Sequence, residues 1–176
     1  MKKIRGDTNL AGLGSENNKQ IVRINEIIFK GKQHIDWKSV KEYALRYIGK
    51  MYMIAHDGEQ IYIDQKFADE FSGSIDTKRL RGACAKAKAN AVQIVKELLE
   101  ISDNPRYIPN YEEKHGQDAK FGWYRYDSRF SMPIYENEKI VRYNVFKITT
   151  LIRHADDGKK YLYDMVNIKK ETEYTA

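Results

Sequence analysis

From Gly122 onward the chain alternates apolar and polar side chains in three β-rich runs, Gly122–Ile134, Ile140–Arg153 and Lys160–Lys169, separated by short polar turns. Aromatic and β-branched residues dominate each run, as pleated, half-buried strands prefer. In the first run Tyr124, Tyr126, Ser128, Phe130 and Met132 point one way, and Trp123, Arg125, Asp127, Arg129 and Ser131 the other. In the second, Asn144, Phe146, Ile148 and Thr150 oppose Tyr143, Val145, Lys147 and Thr149. In the third, Leu162, Asp164, Val166 and Ile168 oppose Tyr161, Tyr163, Met165 and Asn167. One face of such a meander packs on helices, and the other presents Arg, Lys, Thr and Tyr to a partner.

Upstream the period lengthens. Ile21, Ile24, Ile27 and Ile28 predict a short amphipathic helix within Asn17–Lys30. Asp36 is placed to cap a second helix, Trp37–Ile48, whose apolar side is Trp37, Val40, Tyr43, Ala44 and Tyr47. That stripe reads as core packing, with a recognition surface as the alternative. Met51–Ala55 and Gln60–Asp64 flank Asp57-Gly58, a hairpin signal, with His56 solvated at the turn. One helical turn over Lys66–Phe71 precedes the breaker Ser72-Gly73-Ser74. Asp76 or Thr77 then caps the longest helix, which runs to about Ile101 with Leu80, Cys84, Ala87, Ala91, Ile94, Val95, Leu98 and Leu99 inside. Ser102–Phe121 reads as a polar loop that delivers Lys114-His115 to the sheet.

This order predicts an α+β fold: N-terminal helices and a long central helix packed on a small twisted antiparallel sheet. It divides into an N-terminal arm with a short helix over 1–35, a domain over 36–170 and a polar tail over 171–176.

Charge adds a partner class. A net charge of +6 and a pI near 9.2 fit a polyanion, nucleic acid above all. Lys78, Arg79, Arg81, Lys86 and Lys88 fill the first half of the long helix, where cations oppose the macrodipole; phosphate binding and a merely solvated face both account for them. The one cysteine, Cys84, excludes an internal disulfide and reads as a packed thiol. No apolar run approaches a membrane span and no signal peptide opens the chain, so any export would depend on a larger parent. P-loop, GxGxxG, HExxH and paired zinc-ligand spacings are absent, and no metal or cofactor is expected.

A metal-free ribonuclease needs groups that take a proton from the ribose 2′-OH, stabilise charge on phosphorus and protonate the leaving 5′ oxygen. His, Lys, Arg, Tyr and Thr on a basic sheet supply them. The run KHGQDAKFGWYRYDSRFSMPI…RYNVFKITTLIRHADDGKKYLYDMVNIKK resembles the C-terminal part of the barnase/EndoU/colicin/RelE-like nuclease domains of bacterial polymorphic toxins, contact-dependent inhibition systems and phage minor-head or large polyvalent proteins. The likeness spans roughly residues 37–170 and rests on a basic His-bearing loop, a Tyr-rich strand with Arg, a Thr-bearing strand and a closing LYD-x-x-x-I-K strand.

The resemblance implies a toxin-type RNase that cuts tRNA or another cellular RNA without metal, leaving a 2′,3′-cyclic phosphate. It implies delivery from a larger parent chain into a target-cell cytoplasm, and a cognate immunity protein over the active site. It assigns catalysis to His115 as general base or acid, Arg125 for phosphate charge, Tyr126 for stacking or proton donation, Thr149 and Tyr163. Lys114, Lys78, Arg79, Arg81, Arg129 and Lys147 would bind RNA. Arg125 and Tyr126 face opposite sides of an unbroken strand, so only one can act unless a bulge intervenes. Plainer readings stand beside these: an ordinary loop histidine at His115, core packing at Tyr163, β-propensity at Thr149, and ion pairing of Arg125 and Arg129 with Asp127 and Asp164. His154, in the acidic HADDG turn, reads as structural. Two other functions remain open, a non-catalytic nucleic-acid-binding module and a protein-binding accessory domain of a phage or mobile element.

Overall fold

The structure, a computed structural model, describes residues 20–31, 33–111 and 113–176. The remainder of the predicted arm, the Asn17–Lys19 start of its helix, and the Lys114 side chain lie outside the described residues. The fold is α+β: helices pack on a curled, seven-stranded mixed sheet.

Strand β1 (Val22–Arg23) comes first, where the isoleucine spacing predicts a helix. Its backbone pairs parallel with the later strand at Val22↔Phe130 and Arg23↔Ser131, and Ile24 N–H donates to the Ser131 carbonyl at 2.9 Å. Ile21, Val22 and Ile24 are buried by that pairing, so the segment's apolar residues reach the core as an edge strand. Buried Asn90 fixes the continuation: its side-chain oxygen accepts from the Ile28 and Phe29 N–H groups, and its amide donates to the Phe29 carbonyl.

Helix α1 (Trp37–Ala44) is capped by Asp36, whose carboxylate accepts from the Ser39 N–H and hydroxyl, and a 3-10 turn carries it to Tyr47. Strands β2 (Met51–Met53) and β3 (Gln60–Tyr62) form the hairpin that Asp57-Gly58 predicts. Helix α2 (Gln65–Gly73) is longer than the single turn expected; Asp64 caps it at the Lys66 N–H.

The long helix is not one helix. Ser74, not Asp76 or Thr77, caps the short α3 (Ile75–Arg79), and Gly82 at φ +57° turns the chain. Helix α4 (Gly82–Ala91), a 3-10 turn and α5 (Val95–Glu100) follow. The predicted loop contains strand β4 (Asp103–Ile108), with left-handed Asn104 at a register shift.

Strands β5 (Trp123–Glu136), β6 (Lys139–His154) and β7 (Lys160–Thr175) form the expected antiparallel meander. Asn137 and Glu138, both at positive φ, make the tight turn between β5 and β6, the conformation that matches strand twist. The predicted tail belongs to β7, with Tyr174 opposite Tyr143. Strand order is β1-β5-β6-β7-β3-β2, with β4 also on β5; β1–β5 and β3–β7 are parallel, so the sheet is mixed rather than purely antiparallel.

Phe130, Phe146, Ile148, Ile152, Leu162 and Met165 meet Phe67, Phe71, Val92, Val95, Leu98 and Leu99 in one core. The faces of β5 and β6 are those the period predicts, because their register is unbroken from Trp123↔Arg153 to Ile134↔Arg142. In β7 strict alternation fails. A register shift between Leu151 and Ile152 inserts Tyr163, and Leu162 and Met165 both enter the core.

Candidate active site

The face of β5 and β6 turned away from the core carries Trp123, Arg125, Asp127 and Arg129 opposite Arg153, Leu151, Thr149 and Lys147. At its Trp123 end the 3-10 segment Glu113–Ala119 brings in His115. The His115 ring stands edge-on to Trp123 (centroids 5.1 Å apart) and to Tyr163 (5.5 Å), and Trp123 and Tyr163 are themselves 5.1 Å apart. The aromatic shelf fixes the imidazole's plane and leaves the ring partly open to solvent.

Helix α2 supplies the opposing groups. Burial, with the charge of the nearby Glu70 carboxylate, pushes the Tyr163 phenol up to about 12, so it stays protonated at neutral pH. Lys66 pairs with Asp118, whose carboxyl this bond holds below the usual range, assisted by Arg153 and His115. Buried Arg153 pairs with Asp64, the cap of α2, and donates to the Asp118 carbonyl at 3.2 Å, with its guanidinium 4.4 Å over the Tyr161 ring. Arg153 is therefore a clamp between the His115 segment and α2, rather than an open phosphate ligand.

Farther along the same face, nearly buried Asp127 accepts from Arg106 at 2.9 Å and Asn104 at 2.8 Å, with Lys147 at 3.5 Å. Burial pushes its carboxyl up, but these hydrogen bonds and charges outweigh burial and hold it below the usual range. Arg106 stands directly opposite Arg125, and Lys147 lies between Arg129 and Lys169. Like charges directly opposed across strands cost stability unless something negative lies among them, and only Asp103, Asp127 and Glu171 do so here.

The structure thus brings together His115, Tyr163, Arg125, Thr149, Arg129 and Lys147 on one face. Thr149 sits opposite Asp127 and Val166, nearly buried. Tyr126 does not belong with them. It lies on the core side, 2% exposed, with its hydroxyl donating to Asp57 at 2.7 Å; burial and that carboxylate raise its pKa. No bulge intervenes at Arg125–Tyr126, so only Arg125 reaches the site face.

Lys78 and Arg79 lie exposed in the last turn of α3, where cations suit the helix dipole, and Arg81 donates to the Lys78 and Leu80 carbonyls at the joint. The break thus removes the electrostatic oddity of Lys78 and Arg79, while Arg81 stands at the N-cap of α4. Arg129 pairs with Glu171 rather than Asp127, and Asp164 with buried Lys88. Sequence reasoning missed Glu70, Lys66, Asp118, Asp64 and Arg153, which converge from separate segments; the only local sign was Arg153's place on a strand. Among the described residues, no three His, Cys, Asp or Glu side chains are placed to hold a metal ion, and no helix is long and apolar enough to cross a membrane. No protein family, curated protein or solved structure matches the chain.

Proposed function

We propose that the chain is a metal-independent endoribonuclease with His115 at its centre. The observation that carries this reading is the seating of His115 against Trp123 and Tyr163, with the Glu70 carboxylate near that tyrosine, at the end of a cation-bearing face. Imidazole is the side chain that exchanges protons most readily near neutral pH. In the proposed step the 2′ oxygen loses its proton and forms a bond to phosphorus, while the bond from phosphorus to the 5′ oxygen breaks and that oxygen gains a proton. The products are a 2′,3′-cyclic phosphate and a 5′-hydroxyl. His115 serves one of these proton transfers and the Glu70–Tyr163 pair the other. Arg125 supplies positive charge to the phosphate. The resemblance to toxin nucleases supports the same reading and adds delivery from a larger parent and an immunity protein covering His115.

The test is a defined single-stranded RNA and its copy with a single 2′-deoxy substitution at the cut position, both in EDTA. Cleavage of the first and resistance of the second at that position is the expected result; cutting of the deoxy position contradicts the mechanism. A second reading, binding without turnover, draws on the fact that Arg153 and Lys66 are already paired with Asp64 and Asp118. It predicts retention of both RNAs on a native gel with neither cut.

A further inference from the structure

The end of the sheet that carries His115 has a second side. Successive strand residues point to opposite faces, so Arg153 and Trp123 face the His115 site while His154 and Tyr124 face away from it. At this end of the sheet an open cleft of about 440 Å³ lies between the two turns Gly58–Gln60 and Gly158–Lys160, with His154 from the reverse face and Tyr62 from the Arg153 face in its wall.

Aromatic rings continue from the wall. His154 lies 5.2 Å from Phe121 and 6.0 Å from Tyr124, and Tyr124 lies 5.1 Å from Tyr107. Phe121 and Tyr107 are exposed, 44% and 52%. The His154 ring is held in place, since its Nε2 lies 3.1 Å from the Gly158 carbonyl and donates to it. Lys160 stands 4.1 Å over Tyr124 and is tied to Glu59 at 2.8 Å; exposed Lys159 stands 4.9 Å over Tyr62. Gly58 and Gly158, both left-handed, put bare backbone on the two lips of the cleft, with nothing within 4 Å of a Cβ at either.

We propose that this cleft is a nucleobase subsite, which stacks one unpaired base against the His154 ring and its aromatic neighbours. Fixed rings supply a π-face to any base, Glu59 and Gln60 offer an acceptor and an amide to its edge, and Lys159 reaches its phosphate. His154 in the cleft and Arg153 beside the His115 site are adjacent on β6, so a strand crossing the rim of the sheet would occupy both. The inference rests on the ribonuclease reading only for that path. The ligand itself is a single-stranded nucleotide, because a base stacked inside a duplex cannot enter.

The test uses His115→Ala protein, to preclude turnover, titrated calorimetrically with AMP, GMP, CMP and UMP and with base-free ribose 5-phosphate. At least one nucleotide is expected to bind, at least fivefold tighter than ribose 5-phosphate. A further His154→Ala change should abolish that difference, whereas His154→Phe, which keeps a ring, should retain it; thermal melts confirm that both variants fold. Equal affinity for base-free and base-bearing ligands, or unchanged affinity in His154→Ala, overturns the proposal. Base-dependent binding alongside RNA that the wild-type protein never cuts would leave the subsite standing and remove the ribonuclease reading. Cleavage without base-dependent binding would do the reverse.

Discussion

Arg125 and Tyr126 are neighbours in the chain and strangers in the structure. Tyr126 is buried and donates its hydroxyl to Asp57 in the exposed β2–β3 turn, while Arg125 faces the site beside Arg106. Tyr126→Phe should therefore cost about 1–2 kcal/mol of stability, the range for a lost hydrogen bond to a carboxylate, and leave RNA cleavage unchanged. Urea unfolding and initial rates on one RNA check the two halves separately. A large loss of rate at unchanged stability would put the phenol back in the chemistry. Thr149, opposite Asp127 and nearly buried, lies in the floor of the same face.

At the level of elements, helices α3 and α4 are fastened to β7 by one buried cation. Lys88, fully buried, pairs with Asp164 at 3.1 Å and Asp76 at 3.3 Å. Burial pushes the Asp164 carboxyl up to about 6, and Lys88 is the group that draws it back. Lys88→Met leaves that carboxylate buried without its cation, at a cost of roughly 3–5 kcal/mol. An acid whose folded pKa is raised contributes stability below its ordinary range and loses it as pH rises through the folded value. The variant's deficit should then be small near roughly pH 4.5 and grow above the folded value, as urea midpoints across that range would show. A deficit independent of pH would mean that packing, not charge, holds the joint.

Lys88 also marks what the sequence could not disclose. Read on a continuous helix it belongs to a basic stripe; only the turn at Gly82 and the approach of β7 make it a core residue. The meander was legible because a period of two is written residue by residue in Trp123–Met132. The isoleucines at 21, 24, 27 and 28 fit a helix equally well, and the free edge of β5 decided for a strand. The resemblance named His115 and Tyr163, whose rings lie 5.5 Å apart, whereas Lys66–Asp118 and Asp64–Arg153 join positions 52 and 89 residues apart and exist only once the fold does.

For the molecule as a whole the net charge is +6, and on the face of β5 and β6 the cations Arg106 and Lys147 gather around Asp127. With its pKa held low by Arg106 and Asn104, Asp127 contributes stability above the ordinary aspartate range, and that contribution is lost as pH falls through the folded value. Arg106→Gln should accordingly unfold earlier in urea than the wild type near neutral pH and converge with it once the pH falls below the folded value. A gap that stays constant below that value would show that Arg106 acts by packing alone.

The central claim is that His115 performs RNA cleavage on this face. It is met most directly by incubating the purified protein, and its His115→Ala variant, with total tRNA in EDTA and resolving fragments and their ends on a denaturing gel. The account predicts discrete fragments bearing 2′,3′-cyclic phosphates from the wild type, and a loss of rate of about 10²–10⁴-fold in the variant with RNA binding retained. Intact tRNA that is shifted on a native gel, or cutting that His115→Ala leaves undiminished, would contradict it.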